Sequence, residues 1–143
     1  MSRYSQLIKS TEEMKDLGEK VGKKLVAGDV VVLRGELGAG KTTFTQGVGR
    51  SMGISKLTSP TFVISKIYPG VIPLVHVDAY RLIGHELAVF DDLDLETRIP
   101  QSITVIEWGS GFVERLVDSF IEIDIVFGSN SEERTVDIVG LDL

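Results

Sequence analysis

The sequence predicts one domain of the α/β class, and three observations carry that prediction. An apolar run, Val30-Val31-Val32-Leu33, feeds the glycine-rich stretch Gly35-Glu36-Leu37-Gly38-Ala39-Gly40-Lys41-Thr42, which opens a helical pattern. Two later extended segments, Val71 to Val77 and Ile103 to Ile106, end in the carboxylates Asp78 and Glu107, and α/β sheets bind ligands beyond the carboxyl ends of their strands. Turn signals at Tyr68-Pro69-Gly70 and Gly128-Ser129-Asn130 join further extended segments into hairpins. The 143 residues, 43% of them apolar, suffice for one domain with a core and are too few for two.

From the amino terminus, Met1-Ser2-Arg3-Tyr4-Ser5-Gln6 leads into no long apolar run. Ser10-Thr11-Glu12-Glu13 reads as a capping box: Ser10 accepts from the backbone of Glu13, whose side chain reaches back. The helix that starts there buries Met14, Leu17, Val21 and Leu25, with Gly28 as its stop. Gly18 and Gly22 weaken it and point to close packing.

The glycine-rich stretch has two glycines at the spacing that cradles phosphate, followed by lysine and threonine, with a strand before and a helix after. Curled backbone N–H groups entering a helix N-terminus make a compact counter-field for a polyphosphate. Gly35, Gly38 and Gly40 permit the curl because they tolerate positive φ and carry no Cβ. Glu36, Leu37, Gly38, Ala39 and Gly40 form the cradle. Lys41 reaches the β and γ phosphates, the Thr42 hydroxyl ligates magnesium, and Thr43 adds a phosphate contact. Thr11 has two readings, helix entry and a contact with the adenine.

The helix after the loop buries Phe44, Val48 and Met52 and stops at Gly53. Thr58-Ser59-Pro60-Thr61-Phe62 then reads either as a connecting turn or as a switch whose hydroxyls face the γ-phosphate, before a strand from Phe62 to Ile67. His76, inside the following strand, reads as a satisfied core histidine. Between Glu86 and Glu96 lie Glu86, Asp91, Asp92, Asp94 and Glu96 without a lysine or arginine, a solvated surface or an acidic docking face for a basic partner. Glu107 ends its strand where a magnesium-holding acid stands opposite a phosphate loop, so Asp78 and Glu107 compete for that role. Ser110 caps a short helix, Gly111 to Val117, and strands Phe120 to Phe127 and Thr135 to Val139 close the chain as an antiparallel hairpin.

Composition excludes several classes. A net charge of -6 argues against a broad grip on nucleic acid. The absence of cysteine removes disulfides, thiolate metal sites and a cysteine nucleophile. No apolar stretch of about 18 residues occurs, so a cytoplasmic protein without membrane association is expected.

With these residues assembled, the chain resembles the TsaE family (also called YjeE), the P-loop ATPases needed for bacterial threonylcarbamoyladenosine formation in tRNA. The similarity spans nearly the whole length. It rests on the loop through Thr43-Phe44, on Thr58-Ser59-Pro60-Thr61-Phe62, on Asp78-Ala79-Tyr80-Arg81-Leu82 and on Ile106-Glu107-Trp108, in that order. The resemblance implies a three-layer fold of the P-loop NTPase type, with a mixed parallel and antiparallel sheet and one ATP at the loop. It places magnesium on Thr42 and Glu107, and Asp78 near the γ-phosphate to position or activate water. Trp108 would sense nucleotide or partner, or pack at the strand end. Arg134, a surface residue by its type, falls where the family often carries an arginine beside the adenine. Gly109-Ser110 departs from the proline and acid of many members. By resemblance the chain hydrolyses ATP to reset a TsaB/TsaD transferase complex, and meets tRNA only indirectly. The competing readings are a small-molecule kinase, for which no arginine-rich lid segment follows the loop, and a nucleotide-dependent binding module that never hydrolyses. A regulatory GTPase lacks its guanine-reading Asn-Lys-x-Asp, since Asn130 is the one asparagine and serine follows it.

Overall fold

The computed structural model describes residues 2–36, 38–58, 65–78, 95–108 and 113–143. Expectations for Leu37, for Ser59 to Phe62, for Ala79 to Leu82, for the acidic residues 86–94 and for Gly109 and Ser110 lie outside these.

Seven described strands form one sheet in the order β1-β7-β6-β2-β5-β4-β3: β1 Arg3–Ile8, β2 Val30–Arg34, β3 Ser65–Tyr68, β4 Leu74–Asp78, β5 Ile103–Glu107, β6 Ile121–Phe127 and β7 Arg134–Val139. The central four, β6, β2, β5 and β4, run parallel. Around them β3 pairs antiparallel with β4, β7 with β6, and β1 with β7. The sheet is therefore mixed, and the two hairpins expected from turn composition are its flanks. The strand β1 has no counterpart in the sequence reading. Its inward positions Tyr4, Gln6 and Ile8 give no continuous apolar run, and β7 supplies the missing partner.

One face of the sheet carries helices α1, Thr11–Gly22, and α2, Lys41–Ser51, packed over Val31, Leu33, Leu74, Val105 and Ile123. The other face, with Val32, Val75, Val77 and Ile106, is covered by Leu95, Ile99 and Val113. These come from the short helix Leu95–Arg98 and the single turns Ile99–Gln101 and Val113–Arg115. Three layers result.

The Ser10 cap forms as expected, its hydroxyl accepting from Glu13 N at 3.1 Å. The Glu13 carboxylate, however, accepts from Lys9 N at 2.7 Å rather than from the cap residue itself. Gly28 is not the helix stop. The helix ends at Gly22, and Gly28, at φ 99°, turns the chain into β2 while its N–H donates to Ser102 O. Glycine lets α1 and α2 approach closely: a Cβ at Gly18 would lie 2.2 Å from Phe44 O, and one at Gly47 would lie 2.1 Å from Lys15 O.

Some boundaries shift. Val71 is fully exposed in the turn before β4, which begins at Leu74. Leu116 N and Val117 N both donate to Val113 O, so the described part of the short helix expected from Gly111 to Val117 is a tighter turn. β6 begins at Ile121 and β7 at Arg134. Among the described residues, no helix is long and apolar enough to cross a membrane.

Candidate functional site

The central strand β2 ends at Arg34, and the chain must turn at once into α2. Gly35 sits where a Cβ would come within 2.8 Å of Ile125 O, so β6 leaves no room for a side chain. Gly38 and Gly40 take φ of 82° and 114°, the left-handed region that glycine adopts without strain. Gly40 is the N-cap residue of α2 and offers no side-chain cap. The first helical bond runs from Phe44 N to Gly40 O at 2.8 Å, and the amides before it belong to the turn of a helix that has no internal partners. Thr42 and Thr43, half-buried, occupy that turn.

Lys41 is buried, and its ammonium donates to Gly35 O at 2.6 Å and Glu36 O at 3.2 Å. It also lies 4.3 Å from the centre of the Trp108 ring. Burial pushes its pKa below the ordinary 10.5, opposed by the carboxylates of Glu107 and Asp78. Trp108 follows β5 at φ 63°, an uncommon conformation for a bulky residue, fixed by a 2.9 Å bond from its N–H to Leu33 O.

The two strand-end acids meet as neighbours. Asp78 and Glu107 pair directly across β4 and β5, on the sheet face that α2 covers. Asp78 is half-buried and Glu107 buried. The oxygen Oε2 of Glu107 lies 2.5 Å from Nε2 of His76, which is fully buried one register step deeper on the same face. The core placement of His76 is as expected; its bond to Glu107 is not legible from spacing alone, and its Nδ1 is buried without a hydrogen-bond partner among the described residues.

A cavity of about 460 Å³ opens beside the loop, lined among others by Thr11, Met14, Gly38, Gly40, Thr43 and Arg134. Both readings of Thr11 therefore survive, since helix entry and cavity wall coincide. Arg134 is not a plain surface residue. Its Nε donates to Ala39 O at 3.0 Å and its Nη1 to Ser131 O and Glu133 O, while the guanidinium stacks 4.3 Å from the Phe127 ring. The last hairpin is thereby fastened to the loop, a contact without any local signal in the sequence. The Thr58 hydroxyl accepts from Lys66 Nζ, and the Tyr68 hydroxyl bonds the Thr58 backbone, so Thr58 is tied to β3.

Fold and site together define an α/β protein of mixed sheet in which a glycine-rich loop leaves a central parallel strand for a helix, faced by two strand-end carboxylates. The chain belongs to the TsaE family: the family model described as threonylcarbamoyl adenosine biosynthesis protein TsaE matches residues 8–136. The family's role is in tRNA threonylcarbamoyladenosine biosynthesis. The chain is 47% identical over 135 residues to the tRNA threonylcarbamoyladenosine biosynthesis protein TsaE of Streptomyces coelicolor, covering 90% of each chain. It is 38% identical to that of Bacillus subtilis over 133 residues, 90% of this chain and 82% of the relative. Its fold is similar to the crystal structure of Bacillus subtilis YdiB, with a TM-score of 0.79 and 30% identity over 96% of this chain and 84% of the other.

Proposed function

We propose that this chain binds ATP with magnesium at its glycine-rich loop and hydrolyses it in the cytoplasm, and that turnover resets a TsaB/TsaD-type threonylcarbamoyl transferase complex. One observation carries the reading: Gly38 and Gly40 curl the backbone into the start of α2 while Lys41 lies folded against the loop. Such a curl aims successive amides at one point, where the helix dipole adds positive field, and a polyphosphate fits that field. The family's biosynthetic role supports the partner half of the proposal.

The residues fit a magnesium ion. The Thr42 hydroxyl and the Glu107 carboxylate are hard oxygen donors on α2 and β5, and they would hold it. Among the described residues no group of three or more acids or histidines could hold a metal unaided. That suits magnesium, which keeps water and phosphate oxygens in its shell. When bound, it neutralises charge on the β and γ phosphates. Lys41 exchanges the carbonyls of Gly35 and Glu36 for phosphate oxygens, and the amides from Glu36 to Thr43 align the triphosphate. Asp78, across from Glu107, orients the attacking water. Thr11 and Arg134 flank the cavity that takes the adenine.

Multiple-turnover phosphate release, with and without TsaB and TsaD, tests the proposal and separates it from a binding module that does not hydrolyse. Lys41→Ala is expected to abolish release while the fold persists; unchanged turnover in a pure preparation defeats the assignment. Glu107→Ala is expected chiefly to weaken magnesium-dependent binding and Asp78→Ala chiefly to slow chemistry. The reverse pattern exchanges their roles.

A further inference from the structure

We infer that His76 is a positioning residue for Glu107: its Nε2–H holds one carboxylate oxygen so that the other is presented to the divalent cation. The inference rests on the proposed placement of magnesium on Glu107. Three observations carry it. His76 Nε2 lies 2.5 Å from Glu107 Oε2, and the imidazole is wholly buried. Glu107 is itself buried, and a buried carboxylate needs a fixed donor. Finally, among the described residues Nδ1 has no hydrogen-bond partner, so within them the ring's one polar engagement is with this acid.

The chemistry fixes the direction of the bond. With Glu107 ionised, Nε2 must carry the proton, because an unprotonated Nε2 would set a lone pair against the carboxylate. Oε2 is engaged from the side of the core, and Oε1 is the oxygen that the imidazole leaves unengaged. The register makes this a matter of architecture: His76 and Asp78 stand two residues apart on β4, Val105 and Glu107 likewise on β5, and all four share the face under α2. His76 thus lies one step below the pair of acids and fixes the direction of Glu107. Outer partners of this kind typically change metal affinity about tenfold to a hundredfold when removed.

The test measures magnesium coupling in the full chain, by calorimetric titration of a nonhydrolysable ATP analogue in magnesium and in EDTA. The readout is the ratio of the two dissociation constants. His76→Phe, which keeps a ring of similar size without a donor, is expected to lower the ratio about tenfold or more while affinity in EDTA stays unchanged. His76→Gln, whose amide reaches the Nε2 position, is expected to keep most of it. His76→Asn, whose amide stops at the Nδ1 position, is expected to lose it. A merely structural role would depress thermal stability and EDTA affinity and leave the ratio alone. Glu107→Gln separates the two layers of the argument. If it abolishes the coupling and His76→Phe does not, the role of His76 is overturned; if Glu107→Gln keeps full coupling, magnesium is not on Glu107. Should the phenylalanine variant fail to fold, equal ratios for the glutamine and asparagine variants overturn the inference.

Discussion

Lys41 is the residue at which burial, charge and ligand chemistry meet. Burial disfavours its ammonium, and the structure offsets this with two carbonyls, the Trp108 ring face and the charges of Glu107 and Asp78. A triphosphate offers the same cation stronger partners than neutral carbonyls. In the proposed function, then, nucleotide binding draws Nζ away from the indole. Trp108 is the single tryptophan of the chain, so its emission reports that movement without a label. Saturating ATP analogue and magnesium are expected to raise the emission by removing a protonated amine from the ring face. Lys41→Met, titrated to saturation, is expected to show a much smaller change. A flat titration of the unaltered chain at saturation would remove Lys41 from the phosphate contact.

At the scale of elements, the loop is clamped from two sides. Beneath it, α1 and α2 meet backbone to backbone at Gly18 and Gly47, with Arg50 bridging Glu12, Asp16 and Glu19 across the exposed rim. Gly47→Ala puts a methyl 2.1 Å from Lys15 O, against backbone that cannot swing aside. Overpacking of this kind costs about 1–3 kcal/mol, and thermal unfolding should fall by several degrees. A variant as stable as the parent would show that the helices separate freely. Above the loop, Arg134 Nε bonds Ala39 O while its Nη1 holds Ser131 O and Glu133 O. Arg134→Ala is expected to weaken nucleotide binding about tenfold, the worth of one charge-assisted hydrogen bond. Arg134→Lys should not restore it, because an ammonium cannot span both carbonyl sets. Full affinity in Arg134→Lys would make the residue a plain counter-charge.

Across the whole molecule, what could be read from the sequence was local, and what could not was set by register and tertiary approach. The loop was legible because its glycines, lysine and threonine act within eight residues, and the acids were legible because each ends an apolar run. The Arg134 clasp spans 95 positions to Ala39, and the His76–Glu107 bond spans 31. Both depend on which strands lie side by side. The edge strand β1 is not legible for the same reason, since its polar alternation becomes a strand only against β7. The distribution of charge is also a property of the whole. Lysine and arginine number 15 against 21 acids, and several arginines are already engaged: Arg50 by three acids, Arg34 by Glu122 and Asp124, and Arg134 by carbonyls. Affinity for nucleic acid comes largely from cations that neutralise phosphates and release counterions. Under the proposed function, a chain with this balance should therefore leave tRNA to the transferase complex. In about 0.15 M salt, a gel-shift titration of tRNA with this protein alone is expected to show no complex at tens of micromolar, and a complex should appear once TsaB and TsaD are added. Salt-sensitive binding by the isolated chain at those concentrations would mean that it grips the substrate itself, and the indirect role assigned to it would have to be given up.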